Sequence, residues 1–238
     1  MSADSRSLPF DAPRWVSPHE GHVLWAPSYE ETPNALLALE ERTLDPLLPD
    51  LRGKSVLDLA CGTGRWLERL MARGASAGAG LDFCAPMLAR AGAKPAMRGR
   101  LVLGDCLAMP FRPGVADLAI CSFAVAYLFD IARFVDEIGR VLRRGAQVFV
   151  SDFHPSAHAR GWHRAFRGGG SVIEITSSRY SIEEVCAAFA DHGLELRQLL
   201  EPSLSEPERK IFRSADKGDL FDAVCGVPAI WVAQFQQH

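Results

Sequence analysis

Ser55-Val56-Leu57-Asp58-Leu59-Ala60-Cys61-Gly62-Thr63-Gly64-Arg65 reads as an apolar strand ending in an acid, a glycine turn and the start of a helix. Glycines at 62 and 64 let the backbone bend sharply and let a ligand approach, because no Cβ stands in the way. A turn of this kind at the carboxyl end of a parallel strand is a nucleotide-binding element. A dinucleotide fingerprint places a third glycine at 67 for close packing of helix on strand. This chain has Leu67 there, followed by Arg69 and Leu70 in an ordinary amphipathic pattern. Asp58 also precedes the glycines, inside the strand. A carboxylate in that place repels a pyrophosphate and suits a ligand with a positive end.

Three further segments follow in order. In Gly80-Leu81-Asp82-Phe83-Cys84-Ala85-Pro86-Met87-Leu88, Asp82 closes the apolar run 77–81. An acid at the end of the second strand accepts hydrogen bonds from ribose hydroxyls. The others are Leu101-Val102-Leu103-Gly104-Asp105-Cys106-Leu107-Ala108-Met109-Pro110-Phe111, and the stretch from Ala116-Asp117-Leu118-Ala119-Ile120-Cys121-Ser122-Phe123 through Arg140-Val141-Leu142-Arg143-Arg144-Gly145.

Together, residues 54–152 resemble the class I S-adenosylmethionine-dependent methyltransferases, and among them the broad small-molecule grouping that includes the ubiquinone and menaquinone enzymes. The first segment is similar to the family's motif I, an acid, an apolar residue, then Gly-x-Gly-x-Gly, with Ala60 in the first glycine place. The resemblance implies S-adenosylmethionine as cofactor, with its ammonium and sulfonium as the positive end. It implies that Asp58, Ala60, Gly62 and Gly64 form the turn around it and that Asp82 takes the ribose. Asp105 receives the adenine amino group, and the amide of Cys106 faces the ring. Phe83 and Ser122 join that set. Tyr29 and Arg65 are expected at the methionine end, with Arg65 paired to the carboxylate.

The expected fold is α/β: a doubly wound, Rossmann-like seven-stranded sheet, mostly parallel with an antiparallel last strand. Strands alternating with helices from residue 55 onward support it. Residues 1–50 are expected to form a helical lid over the cofactor edge, and residues 51–238 the methyltransferase domain, with a substrate-covering insertion at about 154–180. The lid is read as containing no sheet strand. Thr32-Pro33 reads as N-cap and first helical residue, with Leu36, Leu37, Leu39 and Leu44 following at loosely helical spacing. The clearest single element is a helix over 131–142, where Ile131, Phe134, Val135, Ile138, Val141 and Leu142 recur at three- and four-residue steps after an Asp130 N-cap. A strand over 147–153 follows. Within the insertion, Trp162 and Phe166 are spaced as on one helix, and Arg160, Arg164 and Arg167 as its basic outer face. Gly168-Gly169-Gly170 is a loop tip, and 171–176 an extra strand. Ser181-Ile182-Glu183-Glu184 is a capping box opening a helix. Strands over 194–200 and 229–235 close the chain, with a short helix at 207–212 between them.

Composition narrows the partners. The chain has 238 residues, is 48% hydrophobic and 23% charged, and carries a formal charge of −3. These values suit one globular domain with additions and speak against a dedicated nucleic-acid binder. No apolar stretch is long enough to span a bilayer. The first residues lack a signal peptide's apolar core, so a cytoplasmic address is expected. The six cysteines have no Cys-x-x-Cys spacing and read as reduced, mostly buried thiols; no metal is expected. A monomer or homodimer acting on a small molecule follows, with an anionic or carrier-bound handle if the three arginines face it.

Methyl transfer from a sulfonium is an in-line displacement, so alignment and exclusion of water are the main tasks. A hydroxyl or acidic carbon acceptor must also lose a proton. His154 is the expected base, ahead of His158, His163, His19 and His22: it follows Asp152 at the carboxyl end of the strand 147–153, where the crevice of an α/β sheet lies. Asp152 is read as orienting a neighbour. Tyr127, His158, Trp162 and Trp25 are expected to contact the acceptor, an aromatic or apolar small molecule methylated on O, with C or N close behind. Two other readings stand beside this one. A non-catalytic S-adenosylmethionine-binding subunit would show an eroded motif, whereas Asp58, Asp82 and Asp105 are all in place. A nicotinamide oxidoreductase is opposed by Leu67 and the early acid.

Overall fold

The computed structural model describes residues 13–31, 33–215 and 218–238. The chain opens with a short strand β1 (Arg14–Val16) and helices α1 (Pro18–Trp25) and α2 (Ala35–Leu44). Then β2 (Ser55–Leu59), α3 (Arg65–Ala72), β3 (Ala77–Asp82), α4 (Ala85–Gly92) and β4 (Leu101–Leu103) alternate. β5 (Ala116–Ser122), α5 (Ile131–Val141) and β6 (Leu142–Phe153) follow, and after them α6 (Pro155–Ala159) and the hairpin β7 (Ala165–Gly168) and β8 (Ser171–Ile175). The chain ends with α7 (Ile182–Asp191), β9 (Leu194–Leu200), α8 (Glu206–Ser214), α9 (Gly218–Val224) and β10 (Ile230–Gln237).

Seven strands form one sheet in the order β4-β3-β2-β5-β6-β10-β9. Pairing is parallel from β4 to β6, and β10 runs antiparallel to both its neighbours. The order reverses between β2 and β5, so the crevice opens at the carboxyl ends of those strands. One face is packed by α5 and α7 through Phe134, Val135, Ile138, Val185 and Phe189. The other is packed by α2, α3 and α9 through Leu39, Leu44, Trp66, Leu67, Leu70 and Phe221. The helix expected over 131–142 runs to Val141, with the Asp130 carboxylate accepting from the Arg133 amide at 2.9 Å. The Ser181 capping box forms as expected.

Close approach of α3 to the sheet depends on missing side chains in β3. A Cβ at Gly80 would lie 2.8 Å from Cys61 Sγ and 3.1 Å from its Cβ. Gly80→Ala is expected to lower stability by about 1–3 kcal/mol through overpacking. Gly139 in α5 is the contrast, because its nearest neighbour is a Gln237 oxygen at 3.7 Å. Gly139→Ala is expected to raise stability by about 0.5–1 kcal/mol through helix propensity. Urea denaturation of the two variants reads both signs.

Four expectations are corrected. Residues before 50 do contribute a strand: β1 pairs in parallel with β8, and with β7 they form a separate three-stranded sheet. Trp162 and Phe166 do not share a helix, since α6 ends at Ala159 and Phe166 lies in β7. The basic face does not form: Arg160 and Arg167 are exposed, while Arg164 is buried against Asp152. Helix α2 is capped by Asn34, whose side-chain oxygen accepts from the Leu36 amide at 2.9 Å; Thr32 lies outside the described residues. Helix α9 adds an element the polar stretch 202–222 did not announce.

The small sheet and α1 pack together as one unit, called the cap below. Gly21 of α1 packs so closely on β8 that a Cβ there would lie 2.6 Å from Ile175. The Thr176 amide donates to the Val16 carbonyl at 2.9 Å, continuing the β1–β8 pairing.

Candidate cofactor and acceptor site

A cavity of about 630 Å³ lies between the sheet edge and the cap. A second of about 240 Å³ adjoins it, and Tyr29, Ala60, Gly62, Ser122 and Phe123 line both. The sizes suit small-molecule binding.

The turn after β2 is built by two carboxylates. Asp58 Oδ2 accepts from the Leu67 amide at 2.8 Å and so caps α3 from within the sheet. Burial pushes its carboxyl up to about 7, against the pull of the Leu67 amide and Arg65. Asp82 Oδ2 accepts from the Gly62 amide at 2.7 Å, and its Oδ1 from the Cys84 amide at 2.8 Å. It thereby joins the turn after β2 to the turn after β3, and burial raises its carboxyl too. Ala60 has φ +54° and Gly64 φ +80°, both left-handed. Glycine takes that conformation without strain, so Ala60 is held there by its surroundings. Phe123, just past β5, is left-handed as well, with φ +55°.

Arg65 stands at the smaller cavity. One terminal nitrogen, Nη2, donates to the Glu40 carboxylate and to Ser122 Oγ at 3.1 Å. The other, Nη1, is buried and has no partner among the described residues. An orphaned guanidinium nitrogen beside the glycine turn fits an added carboxylate, as the methionine end of S-adenosylmethionine supplies. Glu40 was not anticipated. It is fully buried on α2 and also accepts from Trp66 Nε1 at 3.1 Å and from the Ser151 hydroxyl. The signal was present, because Leu36, Glu40 and Leu44 recur four apart on one helix face.

Asp105 Oδ1 accepts from the Leu107 amide at 2.8 Å. Asp82, Phe83, Asp105, Cys106 and Ser122 all line the larger cavity; Asp58 and Arg65 line the smaller. Gly64 lines neither and acts by shaping the start of α3. Of the expected acceptor contacts, Trp25, Tyr127 and Trp162 line the larger cavity. Trp25 stacks on Phe166 with centroids 4.8 Å apart and meets Tyr29 edge-on at 4.9 Å.

His154 and His158 are not brought to the cavity wall. His154 caps α6; its Nδ1 lies 2.7 Å from Ser156 Oγ and its Nε2 2.6 Å from a Glu201 oxygen. His158 sits behind Phe153, with ring centroids 5.7 Å apart. Three other histidines, His19, His22 and His163, line the cavity instead. All three were the weaker candidates of the sequence, and His19 and His22 lie one turn apart on α1. Among the described residues, no group of three or more His, Cys, Asp or Glu is placed to hold a metal, and no helix is long and apolar enough to cross a membrane.

Arg164 reaches the cavity from the cap. Its Nη2 donates to Asp152 Oδ1 and its Nη1 to the Phe123 carbonyl at 3.2 Å. The guanidinium lies 4.8 Å from the Tyr127 ring centroid and 4.4 Å from that of Phe153. Asp152 Oδ2 accepts from the Ala126 amide at 2.9 Å, so it does orient its neighbours.

Comparison with known proteins agrees with this geometry. Residues 57–150 match the family described as a methyltransferase domain. A demethylmenaquinone methyltransferase of Thermus thermophilus is 38% identical over 106 residues, covering 43% of this chain and 48% of that protein. A malonyl-[acyl-carrier protein] O-methyltransferase of Salmonella typhimurium is 37% identical over 114 residues, covering 47% and 45%. The chain thus spans about half the length of the curated relatives it matches. A crystal structure of an S-adenosylmethionine-dependent methyltransferase from Mesorhizobium loti superposes with a TM-score of 0.67 at 21% identity, over 86% of this chain and 100% of that one, which shows the shared fold. Residues 57–150 thus match a methyltransferase domain, and the seven-stranded sheet that contains them shares the fold of the superposed methyltransferase.

Proposed function

We propose that the chain binds S-adenosylmethionine across the two cavities and transfers its methyl group to a small, aromatic molecule held under the cap. The observation that carries this is the clamp of Asp82 on the Gly62 and Cys84 amides, opening on a cavity roofed by Trp25, Tyr127 and Trp162. When bound, S-adenosylmethionine supplies an electrophilic methyl group on a positively charged sulfur. The chain's own residues then have separable tasks. Asp82 accepts from ribose hydroxyls, Asp105 and the Cys106 amide hold the adenine, and Arg65 Nη1 donates to the carboxylate. Asp58 sets a negative charge near the ammonium. The cap excludes water and fixes the approach of the acceptor.

A quinone-like ring suits the cavity better than a carrier-bound acid. Arg164 is already paired with Asp152, and Arg160 and Arg167 lie exposed outside the cavity lining. One relative is named for demethylmenaquinone, the other for a malonyl carrier. Calorimetry with S-adenosylhomocysteine tests the cofactor half. Asp82→Ala is expected to weaken binding roughly 10- to 100-fold, the loss of charge-assisted hydrogen bonds worth about 1.5–3 kcal/mol. Folded wild-type protein with no affinity for S-adenosylhomocysteine overturns the reading. A screen of labelled methyl transfer to hydroquinones, phenols and malonyl-carrier protein tests the acceptor half.

A further inference from the structure

His22, Tyr127 and Arg164 meet at the cap end of the larger cavity. His22 Nδ1 lies 2.7 Å from the Pro18 carbonyl oxygen, one turn back on α1. A carbonyl only accepts, so Nδ1 carries the proton and Nε2 keeps its lone pair. Among the described residues nothing bonds Nε2. The ring stands edge-on to Tyr127 with centroids 4.8 Å apart, and 6.1 Å from that of Phe83. The groups facing it are Asp82 from β3, Arg164 from the cap, His19 on its own helix and Tyr127. Burial lowers the pKa of His22, and Arg164 and His19 push the same way; the Pro18 carbonyl and Asp82 oppose them. The imidazole is therefore neutral at neutral pH and keeps a free lone pair on a ring that lines the cavity.

Resting on the reading of this site as a methyltransferase centre, we propose that His22 is its catalytic base and that the acceptor presents an aromatic or enolic hydroxyl to Nε2. The chemistry of the base selects the class. A carboxylic acid arrives ionised, and a neutral amine attacks before it loses a proton. An aliphatic alcohol is too weak an acid for so weak a base. A phenol, hydroquinone or enol, with acidity near that of tyrosine at about 10, lies between these limits. Trp25, Phe123 and Phe153 line the same cavity and offer apolar surface for the ring. The atoms balance without any other reactant. The O–H bond breaks and its proton bonds to Nε2. The oxygen pair forms the bond to the methyl carbon, and the C–S pair leaves with sulfur as a neutral thioether. The imidazolium then releases its proton to solvent.

The test uses the intact protein saturated with S-adenosylhomocysteine and titrated with 4-nitrophenol, whose anion absorbs in the visible, from about pH 5 to about pH 8. The bound probe is expected to ionise roughly tenfold more readily than the free one, a shift of about one pH unit. Calorimetry in two buffers is expected to find no net proton release below the free probe's ionisation, because the proton stays on His22. In His22→Gln, whose amide can still donate to Pro18, the shift is lost, or any bound anion sheds its proton to the buffer. S-adenosylhomocysteine affinity should stay within about twofold, which reports an intact fold and turn. Binding of the probe as neutral phenol, exclusion of the probe, or a His22→Gln protein that behaves as wild type in both readouts overturns the proposal. Loss of S-adenosylhomocysteine binding by wild type is a separate result: it fails the methyltransferase reading underneath and takes this proposal with it.

Discussion

Asp152→Ala is expected to cost about 3–5 kcal/mol of folding stability, the penalty for leaving a buried cation without its partner. Arg164 and Asp152 are 6% and 4% exposed, so water does not take over the vacated place. The guanidinium would keep only the Phe123 carbonyl and the two flanking aromatic faces. The loss also frees the Ala126 amide, which donates to Asp152 just before Tyr127. Because the Arg164 carbonyl accepts from the Ile175 amide at 2.9 Å, the damage runs into the β7–β8 hairpin. Hydrogen exchange should therefore rise first at 165–175, ahead of β2 and β5. The double variant Asp152→Leu with Arg164→Met should recover most of the stability, since an ion pair replaced whole by apolar groups is often neutral. Equal urea midpoints for the single and double variants contradict this account.

The same pair shows where sequence reading reaches its limit. Arg160 and Arg164, like Trp162 and Phe166, are four apart, a spacing that fits a helix as well as a strand with a turn before it. What decides is Asp152, twelve residues back, and the pairing of Phe166 with Ile173 across the hairpin. Neither is a local property. Strand β1 is hidden for the same reason: three residues carry no periodicity, and their partner lies at Ile173–Ile175. By contrast, the region 55–105 is legible because its signals are local. Each acid lies at or within two residues of the end of its own strand, and hydrogen bonds from Gly62 to Asp82 and from Leu67 to Asp58 need only the β-α-β repeat. His154 illustrates the middle ground. Its place at the end of β6 was legible, but its direction was not. The His154 amide donates to the Ala229 carbonyl, and the side chain turns with the N-cap of α6 toward Glu201. A histidine at a sheet's ligand edge and one aimed into the crevice look identical in sequence. His22 enters the crevice only because β1 and β8 fold α1 over it.

Affinity for S-adenosylmethionine is expected to climb about tenfold per pH unit below about 7, level off there, and fall again where the ligand's own ammonium loses its proton, near 8. The cause of the rise is Asp58. Burial pushes its carboxyl up to about 7 in the free protein, so at lower pH it is largely neutral. A cationic ligand beside it favours the carboxylate, and protonation competes with binding. The Leu67 amide bond survives in both forms, since either carboxyl state accepts at Oδ2. The sign for folding is opposite to that for binding. Asp58 holds its proton more tightly folded than unfolded, where it titrates near 4. Its contribution to stability is therefore full below about 4, is lost as pH rises to about 7, and stays lost above. The raised carboxyl makes that difference on the order of 4 kcal/mol at most. Asp58→Asn keeps an oxygen for the Leu67 amide and removes the titration. It should flatten the rise in affinity below 7 and be more stable than wild type at neutral pH by a margin that shrinks to nothing near pH 4. Calorimetry and urea unfolding across that window measure the two trends. Parallel pH profiles for wild type and Asp58→Asn in both would place the turn's proton on another group and remove Asp58 from the ligand's charge balance.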